Sequence, residues 1–149
     1  LYLGLALVFF LARNPPLTVA LKDLRAGAVA ITLLLDQTGG PNHVGNLCFA
    51  PVHADTEKGE LIFTPSYYYI GHFSKFIRPG AKRVSTSSNR SYLLTTSFIN
   101  EDGKTATVVM NQSNQKLSYK LIVGLRVAEE TILPHAIQTL VYEPAGSQK

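Results

Sequence analysis

The chain has 149 residues, enough for one ordinary domain or two small ones. With 46% hydrophobic and 16% charged residues, its composition excludes a disordered chain. The net charge of +4 includes no run of five basic residues, which argues against a nucleic-acid-binding surface, and the single Cys48 excludes an internal disulfide.

Leu1 to Ala12 is almost wholly apolar. It is shorter than the roughly 20 residues a bilayer span needs. It reads as a buried helix or strand, or as part of a membrane or signal segment, and Arg13-Asn14-Pro15-Pro16 ends it. Leu17 to Ala30 places apolar pairs between Lys22, Asp23 and Arg25, the pattern of a helix weakened by Gly27. Ile31 to Leu35 is a continuous aliphatic run before Asp36-Gln37-Thr38-Gly39-Gly40, which predicts a strand buried on both faces, as in a parallel barrel. Asn42 to Asp55 has few periodic cues and is expected to be a long loop. Leu61-Ile62-Phe63 is a short strand or the hydrophobic lead into a helix cap.

A helix with both ends specified follows. Thr64 suits the N-cap, its hydroxyl accepting a first-turn amide, and Pro65 suits the first helical position. Tyr69, Phe73, Phe76 and Ile77 form an apolar stripe, and Arg78-Pro79-Gly80 stops the helix. From Lys82 the period becomes two. Strands are predicted at Tyr92–Ile99, Thr105–Met110, Leu117–Val123, Arg126–Ile132 and Ile137–Tyr142, with turns at Asn100-Glu101-Asp102-Gly103 and Asn111–Gln115. Such a meander argues for an antiparallel sandwich.

The string Tyr68-x-Ile70-Gly71-His72-Phe73-Ser74-Lys75-Phe76-Ile77-x-Pro79-Gly80-x-x-Arg83-Val84 resembles the C-terminal signature of glycoside hydrolase family 30, the glucosylceramidase-like enzymes. Leu33-Leu34-Leu35-Asp36 and Gly39-Gly40-Pro41-Asn42-His43-Val44-Gly45-Asn46 are similar to that family's final barrel strand and the loop after it. The likeness runs from about Ala20 to Tyr142. The family's Trp-x-x-Trp-Asn pattern is replaced by Ala30-Ile31-Thr32, and the chain has no tryptophan to form that part of a sugar platform. A complete (β/α)₈ barrel needs roughly 200 residues or more, so the resemblance implies that this chain holds only the end of one.

The resemblance implies a retaining mechanism, in which two carboxyl groups stand about 5–5.5 Å apart. It places that glutamate pair on earlier barrel strands, so no catalytic residue is expected here. Asp36 ends a strand, the position where barrel enzymes place active groups; it also reads as a turn cap before Gly39-Gly40. Asn46 matches a loop asparagine that can reach the bound sugar and is the candidate substrate-binding residue; its amide equally suits a bond to its own backbone. Cys48, His53 and Asp55 match no standard zinc spacing, so no metal or other cofactor is expected. His72 is expected to pack against the barrel, and Tyr67-Tyr68-Tyr69 could stack on a sugar. Asn89-Arg90-Ser91 and Asn111-Gln112-Ser113 are glycosylation sequons, meaningful if the chain is secreted by a eukaryote.

These readings give an α+β fold: a partial (β/α) barrel remnant over residues 1–79, an antiparallel β-sandwich over 80–143, and a tail over 144–149. The resemblance implies the C-terminal part of a retaining β-glycosidase acting on β-glucosides or glucosylceramide, inactive alone. The alternative is a non-catalytic sandwich module that binds carbohydrate or protein. The expected partners are a β-glycoside or glycolipid in the full-length relative and other copies of the chain through exposed barrel edges. The sequence leaves the location open between secreted or lysosomal and bacterial compartments.

Overall fold

The computed structural model describes residues 33–39 and 50–143. The Leu1–Ala12 run, the helix expected at Leu17–Ala30, the start of the strand at Ile31, Asn46 with its loop, Cys48 and the tail from Pro144 lie outside the described residues. The chain divides into two compact units, with the boundary between Ile70 and Gly71.

The first unit contains a three-stranded sheet. Strand β1 (Leu34–Asp36) runs parallel to β2 (Val52–Asp55), which pairs antiparallel with β3 (Glu60–Phe63). Leu34 pairs with Val52 and Val52 with Phe63. Asp55 makes the β2–β3 turn: its Oδ1 accepts the amides of Glu57 and Lys58 at 3.1 and 3.0 Å, and its carbonyl accepts Gly59 N at 2.8 Å. Gly59 closes the turn at φ +70°, where a side chain would be strained.

Two expectations are corrected. Residues 52–55, expected within a loop, form the central strand of this sheet, because pairing on both edges outweighs the weak β pattern of Val-His-Ala-Asp. The aliphatic run before Asp36 is not buried on both faces: Leu33 and Leu34 are 60% and 53% exposed, and among the described residues β1 pairs only with β2.

Helix α1 (Pro65–Ser74) begins where expected, with a different cap. The Thr64 hydroxyl donates to the Pro51 carbonyl at 3.0 Å and accepts from Ser66 Oγ at 2.7 Å. It therefore ties the helix entry back to the start of β2 rather than accepting a first-turn amide. Within the apolar stripe only Tyr69 is fully buried; Phe73, Phe76 and Ile77 are half-buried, and buried His72 takes the position beside them. Regular helix ends at Ser74, although Ile77 N still reaches Phe73 O at 2.8 Å before Pro79 and Gly80, at φ +84°, turn the chain.

The second unit contains a four-stranded antiparallel sheet in the order β4 (Lys82–Val84), β5 (Leu93–Ile99), β6 (Thr105–Asn111), β9 (Ile137–Tyr142), and a separate hairpin of β7 (Leu117–Val123) with β8 (Arg126–Ile132). Alternation puts Leu93, Val109 and their neighbours on one face of the sheet, where Ile132 and Ala136 complete a core cluster with Tyr92, Leu117 and Tyr119 packed against it. The opposite face carries Thr139, which meets His72 of α1. With layers on both sides, every residue of β6 is buried. The hairpin covers only one side and alternates accordingly, with Leu117, Tyr119, Leu121 and Val123 half-buried and Ser118, Lys120 and Ile122 exposed.

Candidate functional site

In a parallel barrel, reacting groups sit beyond the C-terminal ends of the strands. Here that rim is built by the ends of β1 and β2. Asp36 Oδ1 accepts Thr38 N at 3.0 Å and the Thr38 hydroxyl at 2.7 Å, and Gly39 N donates to the Asp36 carbonyl at 3.1 Å. Gln37 bridges to the next strand end: its Oε1 accepts Thr56 N at 3.1 Å while its Nε2 donates to the Thr56 hydroxyl at 3.0 Å. His53 completes the rim. Ala50 N donates to Nε2 at 3.3 Å, so Nδ1 carries the proton and donates to the Asp36 carbonyl at 3.2 Å.

Both rim carboxylates thus shape their own turns. Asp36 caps the segment through Thr38, and Asp55 caps its turn and meets Lys58 Nζ at 3.4 Å. Each holds its own turn's backbone in place as an acceptor. Among the described residues no three His, Cys, Asp or Glu side chains cluster to hold a metal. Tyr67 packs its ring against Phe63 at 4.8 Å and Tyr68 at 5.4 Å, and 41% of it remains exposed.

The signature segment is anchored in the second unit by residues that local sequence does not single out. Asn100 donates from Nδ2 to the Phe76 carbonyl at 2.8 Å and accepts Arg78 N at 3.0 Å. One amide thereby spans Phe-Ile-Arg just before Pro79-Gly80, and it satisfies groups left over where the helix ends. His72 Nδ1 lies 2.9 Å from the Thr139 hydroxyl, so this ring meets the four-stranded sheet through β9. Burial pushes its pKa down from 6.5 to about 4, and Nε2 has no hydrogen-bond partner among the described residues. The contact joins residues 67 positions apart, which explains why no local pattern announces it.

A cleft of about 1070 Å³ runs between the four-stranded sheet and the β7–β8 hairpin, lined by Ser97, Thr105, Val109, Tyr119 and Tyr142 among others. Two of the lining hydroxyls share a buried partner: Ser97 Oγ lies 2.7 Å and the Tyr142 hydroxyl 3.0 Å from Thr107 Oγ1. Tyr119 hydroxyl accepts Gln138 Nε2 at 2.6 Å, and burial raises its pKa far above the ordinary value. The floor therefore behaves as a polar core layer.

A parallel strand pair and a helix that lead into a two-layer antiparallel unit define the class: the closing segment of a (β/α) barrel joined to a β-sandwich. The glycosyl hydrolase family 30 TIM-barrel domain matches residues 17–77, and the glycosyl hydrolase family 30 beta sandwich domain matches residues 80–140. The chain belongs to glycosyl hydrolase family 30.

Among similar proteins, the putative glucosylceramidase 1 of Caenorhabditis elegans is 35% identical over 117 residues, covering 74% of this chain and 22% of that protein. The lysosomal acid glucosylceramidase of Mus musculus is 38% identical over 84 residues, covering 56% of this chain and 16% of that protein. The crystal structure of SrfJ from Salmonella typhimurium superposes with a TM-score of 0.73 at 38% identity, over 75% of this chain and 25% of that one. The chain therefore spans about a quarter or less of the length of these relatives.

Proposed function

We propose that this chain is the C-terminal portion of a retaining β-glycosidase of the glucosylceramidase type, which cleaves a β-glucoside such as glucosylceramide when the barrel is complete. The observation that carries the reading is the tandem match of two domains of one family in barrel-then-sandwich order. We take a barrel end up to residue 79, a sandwich over 80–143 and a tail after it, a division supported by the two matched spans. The substrate class follows the names of the glucosylceramidase relatives.

In this reading the chain supplies support rather than the reacting pair. The two rim carboxylates that are described, Asp36 and Asp55, are engaged in turn caps. The retaining mechanism needs a nucleophile and an acid/base facing each other across the glycosidic bond, and in the family these glutamates belong to earlier barrel strands. Asn46 is the residue proposed to touch sugar, its amide bridging two hydroxyls. The Asp36-Gln37-Thr38 turn, locked to Thr56, lies ahead of it in the chain.

Nitrophenol release from an aryl β-glucoside by the purified 149-residue chain tests this. No turnover is expected. Turnover that disappears when Asp36 and Asn46 are both replaced by Ala would move the active site into this chain and overturn the proposal.

A further inference from the structure

The two Asn-x-Ser sequons sit in opposite environments. Asn111, the last residue of β6, is fully buried, and all its side-chain capacity is used. Its Nδ2 donates both protons, to the Gln115 carbonyl at 2.7 Å and the Leu133 carbonyl at 2.9 Å. Its Oδ1 accepts Ser113 N at 2.9 Å and the Ser113 hydroxyl at 2.7 Å. The amide thus pins the 111–115 turn to the segment that enters β9. A sugar on Nδ2 would remove one of those protons and demand space where the residue has no exposure.

Asn89 is exposed, as is Ser91 two positions on. It lies at the apex of a bend between β4 and β5, held from both sides. Ser88 Oγ accepts Arg90 N at 3.1 Å, and Leu93 N donates to the Arg90 carbonyl at 3.2 Å. The backbone is presented without Asn89's own side chain being used in the bend.

We infer that, in a eukaryotic secretory pathway, Asn89 is the N-glycan acceptor site of this unit and that Asn111, despite its sequon, is a structural turn residue that the folded protein keeps unmodified. The co-substrate class is a lipid-diphosphate-linked oligosaccharide, acted on by a membrane-bound oligosaccharyl transferase. Asn89 Nδ2 attacks the anomeric carbon of the oligosaccharide, and a C–N bond forms as the C–O bond to diphosphate breaks. The amide proton passes to a base, and the lipid diphosphate leaves. No oxidant or reductant is involved. The inference is independent of the hydrolase reading, because it depends only on the sandwich unit.

The test is translation of the 149-residue chain behind a cleavable signal peptide in the presence of microsomes, followed by endoglycosidase treatment and gel mobility. Wild type is expected to carry one oligosaccharide, N111Q also one, and N89Q none. Mobility is read on total product, so a variant that fails to fold still reports its acceptor sites. A wild-type chain with no oligosaccharide, or one that survives in N89Q, overturns the assignment of Asn89. Two oligosaccharides on wild-type chain that is protease-resistant after folding would overturn the assignment of Asn111.

Discussion

His72 makes the sandwich unit acid-sensitive, and the size of the effect follows from its surroundings. The ring is only 2% exposed, Nδ1 faces the Thr139 hydroxyl, and Nε2 meets no partner among the described residues. Protonation would place an unsatisfied N–H and a charge in that buried position, and burial accordingly lowers the pKa from 6.5 to about 4. The unfolded chain then binds a proton that the folded chain refuses. The stabilisation is complete above the unfolded pKa and is lost as pH falls from about 6.5 toward 4. A displacement of this size corresponds to about 3.4 kcal/mol in full, of which about 2 kcal/mol falls between pH 7 and pH 5.

Urea unfolding followed by far-UV circular dichroism at the two pH values measures this, since the chain has no tryptophan to serve as a fluorescent reporter. The carboxylates contribute in both proteins, so the comparison with His72→Gln isolates the ring. The variant is expected to lose about 2 kcal/mol less than wild type on going from pH 7 to pH 5. Equal losses in the two proteins would refute the argument and show that the ring is hydrated or paired in solution.

Other expectations follow from packing and from the open sheet. Leu140→Ala, at a position with no exposure, is expected to destabilise by about 2–5 kcal/mol in the same unfolding assay, with the upper half applying if the sheet cannot close around the gap. Leu33, Leu34, Leu61, Ile62 and Phe63 are all more than 40% exposed on β1, β3 and their flank, and we expect the chain to self-associate through this surface. Light scattering at micromolar concentration should show oligomers that diminish in Leu61→Lys; a monodisperse wild-type monomer contradicts the expectation.

The sandwich was legible in the sequence because its strands alternate and its turns are marked. The Asp102-Gly103 turn places Gly103 at φ +81°, and the expected strand at Leu117–Val123 has the observed limits. The helix was legible from Thr64-Pro65 at one end and Pro79-Gly80 at the other. What escaped depends on partners distant in sequence. Val52–Asp55 is a strand because Leu34 and Phe63 flank it, 18 positions before and 11 after its first residue. The capping role of Asn100 depends on Phe76 and Arg78, and the placement of His72 on Thr139. At the rim, Asp36 behaved as the turn cap its position suggested, whereas the bridge from Gln37 to Thr56 appears only once β1 and β2 lie side by side.

Strand β6 is hydrogen-bonded to β5 along one edge and to β9 along the other, and every residue of it is buried. Its pairing with β5 closes across a short turn, but the pairing of Thr105 with Tyr142 requires the β7–β8 hairpin between them to be already out of the way. The two edges therefore differ in what must come apart to expose them. Fraying of β9 releases one set of amides while leaving the β5–β6 hairpin intact, whereas the other set is freed only when that hairpin itself opens. In deuterated solvent this would give one strand two exchange rates. Amides of β6 that point toward β9 would exchange by a partial opening, and those that point toward β5 would persist close to the limit set by global unfolding.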